Sequence, residues 1–576
     1  MSEHKSNTSQ NAVEPIGKVV VIGLDGASPD WVRSWIESGE LPTLQQTAAN
    51  GVFGTLKSTV PPLSPAAWSS FATGKNPGQH GIFDHVYRRE GDYRLSPVSS
   101  RRCESKSLWR ILSEQGKKVG VMNVPVTYPP HRVNGFMITG MYTPSPEAHY
   151  TYPPKLKEEL AAMKMAASLF AEVKDNENYD VALQMWHDRQ STRIKLASYL
   201  MERFNPEFFA FVIGETDRVQ HRFWKFMDSS HPLHDVQEAT KYGGAILDLF
   251  KAVDRNLENL LGGLDEDTAL IVMSDHGFGP LRRCLYINNW LLEEGYLKLK
   301  PSPLVRLKWH LYRRGYTPDA LLSLVSKLKL GMTTRAVGSA KKAREKKSFV
   351  PYFFLSVADV DWSSTRAYAL GGNLAGVYLN VKGREPEGTV QTGEEYERLR
   401  DEIIDRLYNL KDDETGESVF RQVIRREEVY SGVCLERAPD IVFLTTNDQY
   451  VPLGAQQFMF GSSGIMGMPS WPPDSGTHTS SGLLMMKGKP FKQDFEISGA
   501  EIIDLAPTVL YLMGLDIPSD MDGRVLTEAF LPEFLAANEI RHTSAEASSE
   551  YEAQVGYSVE EEEEIKERLR SLGYLG

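Results

Sequence analysis

At 576 residues the chain exceeds the roughly 250–300 residues over which a single hydrophobic core stops growing, so a large domain with insertions, or two domains, is expected. A formal net charge of −12 argues against general nucleic-acid binding, because duplex phosphates repel an acidic surface. Cys103, Cys284 and Cys434 are odd in number and far apart, which excludes a disulfide framework or a CxxC metal site and fits a reducing compartment.

In chain order, residues 1–17 are polar and aperiodic and read as a disordered arm. They contain no apolar secretory core, and no run of about 18 apolar residues follows anywhere. A cytoplasmic location, at most peripheral to a membrane, is therefore expected. Lys18–Leu24 (KVVVIGL) is a continuous apolar run, the pattern of a parallel strand buried on both faces. Similar runs recur at Val119–Val124, Phe208–Ile213 and Ala269–Met273. Helical patterns fall between them, at Pro29–Asn50, Leu196–Phe204 and Gly243–Leu261. Strands alternating with helices predict an α/β fold with a doubly wound, mostly parallel sheet.

Residues 18–285 form the first part of this core. Asn288–Tyr296 reads as a helix, and residues 301–350 then hold twelve Lys or Arg against only Asp319 and Glu345. Residues 286–350 are read as a basic helical insertion, or cap, with an apolar side along Leu321–Leu328. It suits substrate attraction or lid packing better than membrane binding, and a merely solvated basic face is the third reading. Strand patterns return at Val377–Val381, Ile441–Leu444 and Leu483–Met486, within a second core part, 351–532. Residues 533–576 read as a polar linker and a short helix. Ser558 and Glu561 form its capping box, and Ile565, Leu569 and Leu572 share one face.

Three of the thirteen histidines stand where metal chemistry would want them. His276 follows Asp275 after the strand ALIVM, His221 lies four residues after Asp217 beyond FFAFVI, and His478 sits in Asp-Ser-Gly-Thr-His-Thr. Asp25 ends the first strand. Open α/β sheets place ligands at the carboxyl ends of parallel strands, and Asp with His offers donors that zinc or manganese accepts. An Asp after a strand is commonly a turn residue, and a lone His is commonly surface or core, so no single pair carries the assignment. Ser64, followed by Pro65 and a helical stretch, reads as an N-cap. The same placement suits a nucleophile, since a helix N-terminus favours an anion.

Taken together, Gly-Leu-Asp25-Gly, the Ser64 segment, Lys75-Asn-Pro-Gly-Gln-His80-Gly-Ile-Phe-Asp84, Asp217-x3-His221, Ser-Asp275-His276-Gly and Gly-Thr-His478 resemble the alkaline phosphatase superfamily. The resemblance is to its type I phosphodiesterase/nucleotide pyrophosphatase branch. More narrowly it is to bacterial and archaeal proteins described as phosphohydrolases or phosphomutases, through Glu215-Thr-Asp-Arg-Val-Gln-His221 and Tyr378-Leu-Asn-Val-Lys-Gly-Arg-Glu-Pro-Glu-Gly388. It covers about residues 18–530. The resemblance implies two divalent cations, zinc first and manganese as the alternative. Asp25, Ser64, Asp275 and His276 match the ligands of one, and Asp217, His221 and His478 those of the other. It further implies in-line attack by Ser64 on phosphorus and a phosphoserine that is then hydrolysed.

Two departures bear on the substrate. The branch typically carries Asn where this chain has His85, which puts a simple diesterase in doubt. Arg218, beside Asp217, adds a cation that favours a dianionic monoester; Lys75 is a further candidate contact. Ser64-Pro-Ala-Ala-Trp lacks the Pro and Arg spacing that sulfatases need for formylglycine, and the membrane-anchored phosphoethanolamine transferases differ by their anchor. The partner expected is a small anionic phosphate ester, not nucleic acid. Monoester and diester both stay open, as does homo-oligomerisation. A phosphomutase using the same serine and a non-catalytic metal-binding scaffold are the alternatives to a hydrolase.

Overall fold

Val19–Leu24 is apolar apart from Gly23, and its apolar side chains are at most 1% exposed, so the strand it forms has to be covered on both faces. The computed structural model, which describes residues 14–165, 169–170, 178–318, 320, 353–371, 376–455, 457–460, 464–468, 474–544 and 557–571, places it near the middle of a nine-stranded sheet. In chain order the main elements are β1 (Lys18–Leu24), α1 (Pro29–Glu37), α2 (Pro42–Ala49), β2 (Gly51–Lys57) and α3 (Ser64–Thr73). Then come β3 (Val119–Met122), β4 (Gly135–Ile138), β5 (Thr151–Tyr152), α4 (Tyr179–Phe204), β6 (Phe208–Ile213) and α5 (Glu215–Met227). They are followed by α6 (Ala245–Gly262), β7 (Thr268–Met273), β8 (Gly277–Pro280), β9 (Gly476–Thr479) and β10 (Ser481–Lys487). The last are β11 (Phe495–Glu501), α7 (Leu505–Leu512) and α8 (Val559–Ser571).

The sheet order is β11-β2-β10-β7-β1-β6-β3-β4-β5. Its strands are parallel except β10, which runs against both β2 and β7, and β5, which runs against β4. Alternate residues feed the two faces. Val20, Ile22, Phe209 and Phe211 join α1, α2, α4 and α6 in one apolar cluster. Val19, Val21, Phe208 and Ala210 join α3 and α7 in the other. The expected doubly wound α/β architecture is present.

Several boundaries differ from expectation for visible reasons. The helix expected over Pro29–Asn50 is two helices, because Gly39 adopts φ +76° and Pro42 starts α2. The helix expected from Leu196 begins at Tyr179; buried Gln190 and Arg193 interrupt its apolar stripe and hide its first half. Of the expected arm, residues 1–13 lie outside the described residues, whereas Ile16 is buried and its N–H donates to Leu512 O at 2.7 Å. Of the basic segment, residues 321–350 lie outside the described residues, Leu321–Leu328 included. A third apolar cluster joins Leu285, Ile287, Trp290 and Leu297 to residues between Val360 and Met466. Among the described residues no helix is long and apolar enough to cross a membrane.

In β10, Leu484 is fully buried and pairs with Gly54 on one side and Met273 on the other. Leu484→Ala should lower stability by about 2–5 kcal/mol through lost burial and a residual cavity, read as a shifted midpoint in urea denaturation.

Candidate metal centre

The turns that follow β1, β6 and β7 meet at one edge of the sheet and are laced together by short side chains. Gly26 turns the chain out of β1 with φ +71°. Thr216 Oγ1 donates to Asp25 O at 2.7 Å, and Gln220 Nε2 donates to Gly26 O at 2.9 Å. Ser274 Oγ accepts from Ala27 N–H at 2.8 Å and donates to His276 O at 2.6 Å. Ser58 Oγ donates to Asp275 O at 2.5 Å. These bonds fix the backbone that carries Asp25, Asp275 and His276.

His478 arrives differently. It lies on β9, opposite Phe278 of β8, just before the antiparallel strand β10. The amino end of an antiparallel strand coincides with the carboxyl ends of its parallel neighbours, so His478 reaches the same edge. The expectation that every site residue follows a parallel strand is corrected for this one.

Seven residues converge. Asp217 and His221 share one face of α5, with His221 Nε2 3.4 Å from Asp217 Oδ1. His478 Nε2 lies 3.3 Å from the same oxygen and 3.0 Å from His221 Nε2. His276 Nε2 lies 3.2 Å from Asp275 Oδ2, 3.7 Å from Asp25 Oδ1 and 3.1 Å from Ser64 Oγ. The donor atoms of Asp217, His221 and His478 lie within 4.8 Å of one another, and so do those of Asp25, Asp217 and His276.

The three imidazoles share one orientation. Nδ1 faces Gly476 O at 3.2 Å in His221, Gly277 O at 3.0 Å in His276 and Pro62 O at 3.0 Å in His478. A carbonyl only accepts, so each Nδ1 carries the proton, and in the neutral ring Nε2 turns its lone pair into the cluster. Metal-ligating histidines are held this way. Two such lone pairs at 3.0 Å repel unless a proton or a cation lies between them.

The charges agree. Burial, then the carboxylates of Asp275 and Asp217, hold Asp25 well above the usual carboxylate range. Burial, then Asp217, pushes Asp275 up to about 7. Burial, then the neighbouring His276, pushes His478 down to about 3, and burial lowers His276 against the pull of Asp25 and Asp217. His221 is disfavoured as a cation by burial but raised overall by Asp217 and Asp474. Asp217 is raised by burial and lowered more strongly by His221 and His478, to a net position well below the usual range. Asp25 Oδ1, Asp217 Oδ1 and Asp275 Oδ2 are buried and accept no hydrogen bond. Carboxylates, imidazoles and a hydroxyl with inward lone pairs fit divalent zinc or manganese.

Helix α3 starts at Ser64 itself with Leu63 as its N-cap, one residue earlier than expected, and the Ser64 hydroxyl turns to His276 instead of capping. One turn on, Trp68 Nε1 donates to Asp25 Oδ2 at 3.1 Å. Arg218 stays beside the cluster, its Nε 3.9 Å from Asp217 Oδ2. His85 is fully buried with Nδ1 2.7 Å from the Tyr142 hydroxyl. Burial, then His478 and Arg218, holds it well below the usual histidine range. Lys75 is not brought in: its ammonium pairs with Asp520.

A cavity of about 150 Å³ opens beside Asp25 and Ser64, with Asn123, Arg189, Arg222 and Asp474 in its walls. None of these four stood out in the sequence. Asp474 had a signal, being four residues before His478, and its Oδ2 lies 3.6 Å from His221 Nδ1. Asn123 and Tyr142 adopt φ +60° and +78°, left-handed conformations that persist where the surroundings over-determine them, commonly at functional sites.

A family model described as type I phosphodiesterase/nucleotide pyrophosphatase matches residues 19–465; the match stops short of His478. No curated protein matches. Among solved structures, phosphonoacetate hydrolase from Sinorhizobium meliloti 1021 in complex with phosphonoformate is 13% identical, covering 87% of this chain and 95% of its own, with a TM-score of 0.48. The same hydrolase in complex with phosphonoacetate is 14% identical at the same coverage and TM-score.

Two measurements check this centre. His478→Ala should weaken zinc binding by at least about 100-fold, beyond the 10–100-fold typical of losing a supporting partner, in a metal titration of the stripped protein. A Cβ on Gly23 would lie 2.3 Å from Trp68 Cη2. Gly23→Ala should therefore displace Trp68 from Asp25, costing about 1–3 kcal/mol in denaturation and roughly tenfold in zinc affinity.

Proposed function

The chain belongs to the type I phosphodiesterase/nucleotide pyrophosphatase family, and on that footing we propose that it hydrolyses a phosphate ester through a phosphoserine formed on Ser64. The observation that carries this reading is the Ser64 hydroxyl, 3.1 Å from His276 Nε2, at the edge of a buried cluster of three carboxylates and three inward-facing imidazoles. A metal-binding scaffold would need the carboxylates and imidazoles but not a hydroxyl aimed at them.

Asp25, Ser64, Asp275 and His276 would hold one divalent cation and Asp217, His221 and His478 the other. Zinc or manganese bound there would neutralise charge on the phosphoryl oxygens and favour the ionised serine.

Each remaining role falls to the chain. Ser64 lies in the first turn of α3, where unpaired backbone N–H groups and the helix dipole favour an anion. Its oxygen attacks phosphorus, the alcohol leaves from the opposite side, and water then hydrolyses the phosphoserine and restores the hydroxyl. Arg218 supplies a fixed cation for the phosphoryl oxygens. The Trp68 indole keeps Asp25 in place, and burial of the cluster limits water around it.

With zinc or manganese supplied, the protein should release nitrophenol from p-nitrophenyl phosphate or bis-p-nitrophenyl phosphate. Ser64→Ala should reduce this by at least about 10³-fold with metal content and fold retained. Acid-quenched wild type should carry phosphate on Ser64 by mass spectrometry. Turnover that survives Ser64→Ala would sink the serine mechanism.

A further inference from the structure

We propose that the surface formed by the helix Pro303–Tyr312 and the residues around it seats this protein on an anionic lipid bilayer. A row of leucines and two aromatic rings enter the interface, and Lys and Arg side chains meet the headgroups. The proposal goes beyond the ester chemistry and does not depend on it.

A group of large apolar side chains left in water and bordered by polar residues marks a docking surface. Twelve large apolar residues are exposed among the described residues, and four of them fall in one place. Leu304 and Leu307 are 56% and 53% exposed, Tyr316 45% and Phe353 62%. At about 100° per residue, Leu304, Leu307 and half-buried Leu311 lie within roughly 60° of one another on the helix. Tyr316 N–H donates to Leu311 O at 3.0 Å, which returns the chain to the end of that row. Phe353 adjoins Phe354, whose ring stacks on Tyr316 with centroids 5.1 Å apart.

The leucines are presented by a fixed element. Val305 and Tyr312 are buried and pack with Leu355 and Phe458. Lys308 Nζ lies 3.0 and 3.2 Å from the two carboxylate oxygens of Asp359, and Arg313 Nη1 donates to Glu293 Oε1 at 2.9 Å. One face of the helix is thus committed to the core, and the leucine row lies beside that face. A helix packed as a lid, one of the roles expected for this insertion, would turn its leucines onto the core instead.

The charge around the row selects the occupant. From Gly295 to Pro318 the sequence contains six Lys or Arg and no Asp or Glu. Lys298, Lys300, Arg306, Arg313 and Arg314 are exposed, and His310 and Arg314 follow Leu307 at three and seven residues, on the same side of the helix. Residues 321–350, which lie outside the described residues, continue the bias with eight Lys or Arg against Glu345 alone. In a chain of net charge −12 this stretch is a local exception. An apolar row bordered by cations matches a bilayer interface. Leucine and aromatic side chains reach the acyl boundary, long cationic side chains stay at headgroup level, and each Lys or Arg near an anionic surface adds about fivefold in affinity. An apolar protein groove would make no use of the cations, and a purely polyanionic partner would make no use of the leucines.

Sedimentation of the full chain with vesicles tests this, using phosphatidylcholine alone and phosphatidylcholine with about one-third phosphatidylglycerol. The mixed vesicles should bind at least about tenfold more tightly than phosphatidylcholine alone, and added salt should weaken that binding. Leu304→Ser/Leu307→Ser should lower affinity for the mixed vesicles about tenfold through lost apolar contact. Arg306→Gln/Arg314→Gln should lower it by roughly the same factor. Val236→Ser, which removes a side chain 77% exposed elsewhere on the surface, should leave it unchanged. All of these positions are exposed, so the midpoint of urea denaturation should not move; if the leucine pair moves it, Phe353→Ser takes its place. Binding to mixed vesicles that survives both the leucine and the Phe353 substitutions would identify a plain polyanion surface, suited to an acidic protein, and overturn the proposal. Equal binding to both kinds of vesicle, or binding to neither, would overturn it as well.

Discussion

Asp25, Asp217 and Asp275 are buried against one another, at 6%, 4% and 0% exposure, and this arrangement sets the terms for everything around it. Isolated buried carboxylates cost several kcal/mol each unless neutralised or paired. Here the pairing is incomplete. One oxygen of each accepts no hydrogen bond, and the imidazole Nε2 atoms beside those oxygens belong to rings that spend their proton on backbone carbonyls. The geometry is poorly compensated by protein groups alone and well compensated by divalent cations. The proton affinity of His221 expresses the same field: what draws a proton there draws a cation.

Such an arrangement persists only if the backbone beneath it is rigid. The strands β1, β6 and β7 lie side by side in the sheet centre with both faces covered. Their terminal turns are joined through Ser274, Thr216, Gln220 and Ser58, small polar side chains whose bonds run to main-chain atoms. Those bonds hold positions independently of the side chains the turns present. The antiparallel strand β10 completes the constraint, because its reversed direction brings the residues before it to the edge where the parallel strands end. One edge of the sheet thereby gathers residues from 25 to 478, His478 from the two-stranded pair beside it.

What was legible in the sequence follows from the same physics. Central strands buried on both faces need uninterrupted apolar runs, so Lys18–Leu24 and Phe208–Ile213 could be delimited to the residue. The Asp and His residues just beyond them stood out because polar groups there are abrupt. The Asp217–His221 spacing reads directly as one helix face. Properties set by distant partners were not legible. The first half of α4 carries Arg189 and Arg193, which make sense only against Glu215. Asp474 stands four residues before His478, but its approach to His221 was not visible from that spacing. The fate of Lys75 depended on Asp520, 445 residues away. Ile565 and Leu569 showed an apolar face but not what it covers.

That last contact bears on how an acidic protein would accommodate an anionic ester. With a net charge of −12, the surface as a whole repels anions, and screening over about 8–10 Å leaves only nearby charges to act at a given site. A favourable potential at Ser64 therefore has to be built locally. Arginines on α4, α5 and α8 line the cavity beside Ser64, where lower dielectric makes a charge count for more than on the surface. Helix α5 contributes to both regions: Asp217 and His221 belong to the candidate metal cluster, while Arg218 and Arg222 line the cavity beside it. Less than two turns of helix thus join the candidate metal ligands to two arginines of the cavity wall. The distance between them is fixed by helical geometry.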